Sequence, residues 1–344
     1  MLPGRLENNQ SRYDYYKHYK LSYPEASYNT GGIVGLKNLG NTCYFNSILQ
    51  CLGYTFTLTD YLLTNQVIRD QRSREQLFIN QNFTFFQRSF TDTLVKMWTY
   101  NMVVNPYKLL KHFKNIHPYF DNGDHHDSHE ALVLVLDTLH KACKYNVKMF
   151  IRQTAEATTT TTSGPEQKMV DAYNEWIDFY GKDYSKIIET FNGLVLSNTG
   201  KFEPFGITSL PIRSSKSSLQ DLLADHYQSS KLWIIPDIFI VSLKRFNSDG
   251  TKNNNLVTYP LNLDLGEYVS KDKADQSVYK YVLYAINYHS GTVNKGHYWS
   301  SCKSMLDKWY TFDDEDAHKV SEFDKHSLIS EHAYILFYHR LKIL

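Results

Sequence analysis

A chain of 344 residues that is 42% apolar and 15% aromatic can bury one large core or two ordinary ones, which excludes a disordered or fibrous protein. Thirty-seven Lys and Arg stand against 36 Asp and Glu, so bulk charge selects neither nucleic acid nor an anionic membrane as a partner. Four scattered cysteines make no C-x-x-C pair, no run of about 20 apolar residues could span a bilayer, and residues 1–22 lack an apolar leader; the expected setting is intracellular, cytoplasmic or nuclear.

Residues 1–31 carry Tyr13, Tyr15, Tyr16, Tyr19, Tyr23 and Tyr28 among polar neighbours without helical or alternating order, which predicts a flexible N-terminal arm. The next stretch, GLKNLGNTCYFNSILQCL from Gly35 to Leu52, is sharper. Gly40, Asn41 and Thr42 stop what precedes them, and Tyr44, Phe45, Ile48, Leu49 and Leu52 then recur with the period of a half-buried helix that starts at Cys43. Unpaired amides and the positive end of a helix dipole favour the nucleophilic form of a thiol placed there. Packing is the competing reading for Cys43, because cysteine also behaves as a small hydrophobe.

Helical signals continue to about Tyr119, with Phe86, Phe90, Leu94, Met97 and Trp98 on one stripe and Asn105-Pro106 opening a helix whose inner side carries Leu109, Leu110 and Phe113. In DNGDHHDSHEALVLVLDTLHKAC, residues 121–143, Asp127 and Glu130 have the spacing of a capping box. Leu132, Val133, Leu136, Leu139 and Cys143 predict the apolar stripe behind it. Residues 154–167, with five threonines from Thr158 to Thr162 followed by Ser163, Gly164 and Pro165, read as a flexible insertion. Helix returns from Lys168 to about Thr190, with Tyr173, Trp176, Ile177 and Tyr180 on one face.

From Phe191 the period changes to that of strands: Gly193 to Leu196, Phe202 to Ile212, Ile235 to Phe246, Tyr281 to Asn287, Tyr298 to Lys303, Trp309 to Phe312 and Ala333 to Tyr338. Strands adjacent in sequence suggest antiparallel pairing, so the fold class is α+β, a helical lobe carrying Cys43 opposite a β lobe. In the late stretch His297 follows Gly296 at a strand start, and Asp313 and Asp314 end the strand Lys308 to Phe312. A hairpin between those strands sets a carboxylate beside the imidazole, the base and orienter that a thiol nucleophile needs. Taken singly, His297 reads as a turn residue and the paired Asp as turn chemistry.

GLKNLGNTCYFNSILQCL and NYHSG…GHYWSSCKS…KWYTFDDE…AYILFYHR resemble the cysteine and histidine boxes of the ubiquitin-specific proteases, papain-like deubiquitinases, over about Gly32 to Arg340. The resemblance implies a catalytic domain over 32–341, with a helical thumb lobe at about 40–190 and an antiparallel β palm lobe at about 191–341. It implies a thiol isopeptidase that hydrolyses the bond after the C-terminal glycine of ubiquitin, acting on ubiquitinated proteins. Cys43 would be the nucleophile, His297 the base, Asp313 the third member, Asp314 a substitute or assistant, and Asn38 the oxyanion-hole amide; Asn38 also reads as a turn former. HHDSHEAL resembles the segment whose acids receive the arginine-bearing tail of ubiquitin, which assigns Asp127 and Glu130 that role alongside capping. His289, Tyr298, Tyr44 and Phe246 would line the tail channel, with core packing as the alternative.

Departures from the family pattern carry their own expectations. His125 stands where Gln is usual, and Ala131 where Phe is common. Two C-x-x-C pairs of a zinc-bearing finger extension are missing from FNGLVLSNTGKFEPF and DHYQSSKLWIIPD, so no zinc, no other cofactor and a shortened fingers region are expected. Fewer finger contacts would raise KM more than lower kcat, unless an activating partner protein replaces them. His125, His126 and His129 with Asp124 and Asp127 invite a metal reading that clustered loop histidines support weakly. An inactive ubiquitin-binding scaffold and a protease for another ubiquitin-like modifier are the rival functions.

Overall fold

The helical part builds from α1 (Cys43–Gly53), α2 (Phe56–Leu63), α3 (Gln81–Thr99), α4 (Tyr107–Ile116), α5 (Ser128–Cys143), α6 (Pro165–Tyr180) and α7 (Lys186–Phe191). These come from a computed structural model that describes residues 32–64, 66–67, 80–147, 165–213, 216–247, 249–273, 279–292, 295–305, 307–320 and 328–341. The tyrosine-rich arm and the threonine run lie outside the described residues. Among the described residues no helix is long and apolar enough to cross a membrane.

Caps account for most helix starts. Asn80 accepts from the Asn82 amide at 2.9 Å ahead of α3, and Asn105 accepts from Tyr107 at 3.0 Å ahead of α4, where Pro106 is the cap residue. Asp127 caps α5 by accepting from His129 N at 2.7 Å, but the reciprocal bond from Glu130 that would complete a capping box is absent among the described residues. Val133 is 43% exposed, and Ala131 and Val135 take its expected place against the core. The helix expected from Lys168 to Thr190 is two helices: α6 begins at Pro165, inside the expected loop, and ends where Gly181 turns the chain before Ser185 caps α7.

The β part follows as β1 (Gly193–Ser197), β2 (Phe202–Phe205), β3 (Ile207–Pro211), β4 (Lys216–Ser218), α8 (Leu219–His226), β5 (Ser230–Ile234), β6 (Ile238–Lys244), β7 (Leu256–Thr258), β8 (Asn262–Asp264), β9 (Lys280–Gly291), β10 (Gly296–Lys303), β11 (Trp309–Asp313), β12 (Asp316–Lys319) and β13 (Ala333–Arg340). The main sheet runs β12-β11-β10-β9-β13-β6-β3, with β8 also on β9, and a small sheet runs β2-β1-β5. The expected strand Phe202 to Ile212 breaks at Gly206, which sends β2 to the small sheet and β3 to the main one. Pro236 separates β5 from β6 in the same way. Pairing is antiparallel except for β3 with β6 and β4 with β7, which are parallel.

The main sheet is covered on both faces, which is why β6 reads as a continuous apolar run. Ile238 and Ile240 join the core under the helices, while Phe239, Val241 and Leu243 join a second core on the other face with Leu222 and Leu223 of α8. Each such buried side chain is worth about 1.5–3 kcal/mol. Helix α1 is buried all round and packs on β10 and α5, so the first residue of the helix meets the start of the strand.

Candidate active site

Cys43 opens α1 and is 3% exposed. Thr42 precedes it but does not cap the helix with its side chain, because its hydroxyl accepts from Leu39 N at 2.9 Å. Phe45 and Asn46 donate to the Thr42 carbonyl, and among the described residues the amides of Cys43 and Tyr44 have no acceptor. Two unspent donors therefore lie beside the sulfur.

His297 is the second residue of β10, and Asp313 is the last of β11. The register Ser300 with Phe312 brings them together across the hairpin, Nε2 to Oδ1 at 2.5 Å. That leaves Nδ1 free for the thiol of Cys43, the neighbour with the largest influence on the imidazole. The bond to Cys43 raises the imidazole to about 9, burial opposes the rise, and Asp313 adds to it. A charged imidazole beside a thiol, held in orientation by a carboxylate, is the equipment of a cysteine nucleophile. Trp299 stacks on the ring at 6.2 Å and 18°, and Tyr288 stacks on Trp299 in turn.

Asp314 faces elsewhere. It sits at φ +46°, with Oδ2 accepting from Asn38 Nδ2 at 2.7 Å, Oδ1 from Asn46 Nδ2 at 2.8 Å, and its carbonyl from Leu36 N at 2.6 Å. Burial raises its carboxyl while the Asn46 and Asn38 amides pull the other way. Asn38 in turn accepts from Gly40 N and from Thr42 at N and Oγ1, so its oxygen holds the turn and one N–H remains. Nitrogen and carboxylate oxygens of His297, Asp313 and Asp314 lie within 4.8 Å of one another, the one such group among the described residues. The loop histidines do not converge: His126 is buried against Phe120 and bonds Asn122 at 2.8 Å.

Beyond His297 lies an aromatic cluster. Tyr298 is 4.4 Å from His289, His289 5.1 Å from Phe246, and Phe246 5.3 Å from Tyr334, centroid to centroid. Burial, then the charge of Lys252, lowers His289 to about 3, so its ring is neutral. A side chain on Gly296 would put Cβ 2.0 Å from His289 Nε2, so only glycine fits before the catalytic candidate. Tyr334 donates to both oxygens of Asp127, at 2.9 and 2.8 Å, which Asp127 combines with its cap bond. Glu130 is exposed on the next turn. Tyr44 packs against Phe120 and His126, and among the described residues its buried hydroxyl has no hydrogen-bond partner.

Asn287 escaped the sequence reading. It is fully buried on β9, accepts from Ser128 Oγ of α5 at 2.8 Å and donates to Ser47 Oγ of α1 at 2.8 Å, tying both helices to the sheet one register step from His297's strand. Only its position in a strand of otherwise apolar residues, Tyr284-Ala285-Ile286, signalled it.

The sequence matches the family model for ubiquitin carboxyl-terminal hydrolase over residues 34–338, and the chain belongs to that family. It is 27% identical to the Drosophila melanogaster ubiquitin carboxyl-terminal hydrolase Usp2 over 94% of this chain and 36% of that protein. It is 29% identical to bovine ubiquitin carboxyl-terminal hydrolase 2 over 89% of this chain and 55% of that one. A probable ubiquitin carboxyl-terminal hydrolase of Acanthamoeba polyphaga mimivirus is 26% identical, with 93% and 92% covered. The chain thus spans about a third to a half of the first two relatives. The fold is that of the SAGA Ubp8/Sgf11/Sus1/Sgf73 DUB module bound to ubiquitin aldehyde, at TM-score 0.69 and 19% identity over 97% of this chain and 76% of that one. A yeast SAGA DUB module gives TM-score 0.67 at 21% identity, with 97% and 73% covered.

Proposed function

We propose that this chain is a thiol isopeptidase that hydrolyses the bond after the C-terminal glycine of ubiquitin, with Cys43, His297 and Asp313 as its triad. The observation that carries it is the 2.5 Å His297–Asp313 contact on an imidazole whose proton affinity Cys43 raises more than any other neighbour does. Family membership supplies the substrate class, and a structural neighbour was solved bound to ubiquitin aldehyde. The catalytic domain runs over 32–341, with a helical lobe to about 190 and a β lobe after it.

Cys43 Sγ attacks the glycine carbonyl carbon. The electron pair moves to the carbonyl oxygen, which takes hydrogen bonds from the Cys43 amide and the spare N–H of Asn38. As the C–N bond breaks, the Nδ1 proton of His297 passes to the leaving lysine nitrogen, and Asp313 keeps Nε2–H in place. Water, deprotonated by His297, then attacks the thioester carbonyl and expels the thiolate. Asp314 acts as a brace for the Cys43 loop through Asn38 and Asn46.

Asp127 and Glu130 receive the tail arginines, and Phe246, His289, Tyr298 and Tyr44 shape the channel. Because Tyr334 and His129 already occupy Asp127, tail affinity is modest, which also favours a second reading, action on a related modifier with a less basic tail. The small β2-β1-β5 sheet serves as shortened, zinc-free fingers. An activating partner compensates for it; the neighbouring module contains Sgf11, Sus1 and Sgf73. The setting is cytoplasmic or nuclear, in keeping with four free cysteines.

Reaction with ubiquitin bearing a C-terminal electrophile tests the proposal. A covalent adduct that Cys43→Ala abolishes is expected; a folded wild-type protein that forms none overturns it. Parallel probes built on other modifiers decide between the two readings.

A further inference from the structure

The His297 imidazole has one partner at its edge and another stacked on it. At the edge, Asp313 meets Nε2 at 2.5 Å. The stacked partner is Trp299, two residues on along β10, where the alternation of a strand returns side chains to the same face. Their centroids are 6.2 Å apart and the rings lie 18° from parallel.

Trp299 is itself clamped. The register of β9 with β10 sets Tyr288 directly opposite it, and those two rings stack at 5.3 Å and 14°. Tyr288 is buried in the second core, and its hydroxyl donates to the Leu328 carbonyl at 3.0 Å. His332 meets the indole edge-on at 5.6 Å and 67°, and its carbonyl accepts from His289 N at 2.8 Å. A row of contacts, Leu328 to Tyr288 to Trp299 to His297, therefore runs from the core to the imidazole.

Exposure explains why such a row matters. The His297 side chain is 43% exposed and that of Asp313 46%, so packing does not confine either on every side. A hydrogen bond through Nε2 fixes one point of the ring and lets the ring swing about it. Resting on the proposed function, the Cys43 sulfur is bonded to the acyl group after the first step and no longer offers Nδ1 a thiolate. At that stage Asp313 and Trp299 are left to orient the imidazole while it draws a proton from water.

We infer that Trp299 is a positioning residue for the proposed reaction, holding the plane of the His297 imidazole through the stack. It touches no reacting atom and acts through the ring alone. An indole also attracts a cation at about 6 Å, which favours the protonated ring. The titratable groups that face the imidazole are Cys43 on α1, Asp313 on β11, Asp314 just beyond it and His289 on β9, with His332 across the indole. Substitution of Trp299 leaves all five in place.

The test compares the wild-type protein with Trp299→Leu, which removes the ring, and Trp299→Phe, which keeps a smaller one. For each, kcat, KM and their pH dependence are measured on ubiquitin with a C-terminal fluorogenic amide, and Tm is recorded. The leucine variant is expected to lose about tenfold in kcat with KM within about twofold of wild type. Its alkaline decline in kcat/KM moves down by about 0.5–1 pH. The phenylalanine variant recovers most of kcat and part of that midpoint, since indole is the stronger partner for a cation. A midpoint that stays at the wild-type pH in a folded variant overturns the inference, whether or not Tm falls, and leaves Trp299 as core packing. A leucine variant with wild-type kcat, or a phenylalanine variant no better than the leucine one, overturns it too. Should the leucine variant not fold, the phenylalanine variant decides by whether its midpoint lies below that of wild type. A wild-type protein that does not turn over the amide instead overturns the function on which the inference rests, and is recognised before any variant is made.

Discussion

The two ends of the cleft are built to different standards. Around Cys43, Asp314 grips Asn38 and Asn46, Asn287 grips Ser47 and Ser128, and Asp313 grips His297, each within 2.8 Å. Elsewhere Glu130 is exposed without such a partner among the described residues, Asp127 is already shared between Tyr334 and His129, and the small β2-β1-β5 sheet has three short strands. On the proposed function, reaction geometry is fixed by the fold before substrate arrives, whereas affinity is left to contacts that form on binding. Buried networks of this kind specify position, and exposed carboxylates contribute little until a partner covers them.

Four experiments break or sharpen that contrast, the largest effect first. Replacing the triad members by Ala, one at a time, lowers kcat by about a thousandfold or more in each case, since such groups act as a unit. Asn287→Ala comes next: Ser128 loses its buried acceptor while Ser47 keeps the Tyr44 carbonyl, which costs about 1–3 kcal/mol of stability for the group left unpaired. A shift of α1 against β10 by as little as about 1 Å lowers kcat by about a hundredfold with KM nearly unchanged. A drop in Tm without a drop in kcat would show that the network stabilises without positioning.

The pH profile is the third. His297, raised to about 9, keeps in the folded state a proton that the unfolded chain loses near its ordinary value of 6.5. Its stabilisation is therefore whole below about 6.5 and is lost as pH rises through about 9; kcat/KM follows, falling about tenfold per unit above that. His289, lowered to about 3, acts in the opposite sense: the neutral buried ring becomes a liability as pH falls below 6.5 toward 3. Tm against pH should peak near 6.5, and His297→Gln should remove the decline on the alkaline side. The smallest effect is at the tail. Glu130→Gln raises KM about two- to fivefold with kcat unchanged, the scale of an exposed ion pair; a loss in kcat instead would move Glu130 into the catalytic end.

Legibility in the sequence followed the same divide between local and distant. The start of α1 at Cys43 was readable because Gly40-Asn41-Thr42 and the apolar period are local, and His297 with Asp313 was readable because a hairpin joins them. Phe86, Phe90, Leu94, Met97 and Trp98 are buried as their spacing required. What stayed hidden depends on pairing across the chain. Tyr334 lies 207 positions from the Asp127 it occupies, and Asn287 lies 240 positions from Ser47. Asp314 could not be told from Asp313 by type; a left-handed backbone turns its carboxylate onto Asn38 and Asn46. Val133 fits the helical period but falls at its edge, where solvent wins, and the parallel placement of β3 needs β6 to be known first.

Asn38 and Asp314 are 276 positions apart, and the loop of Cys43 gains this brace only when both are present. During synthesis Cys43 emerges before His297 and Asp314, and Asp314 follows Asn38 by 276 positions. At about 5–20 residues per second, that interval is on the order of tens of seconds. For its duration the nascent chain displays Cys43 without His297 and Asp314, so the Cys43 loop and the imidazole come together only after that stretch has been made.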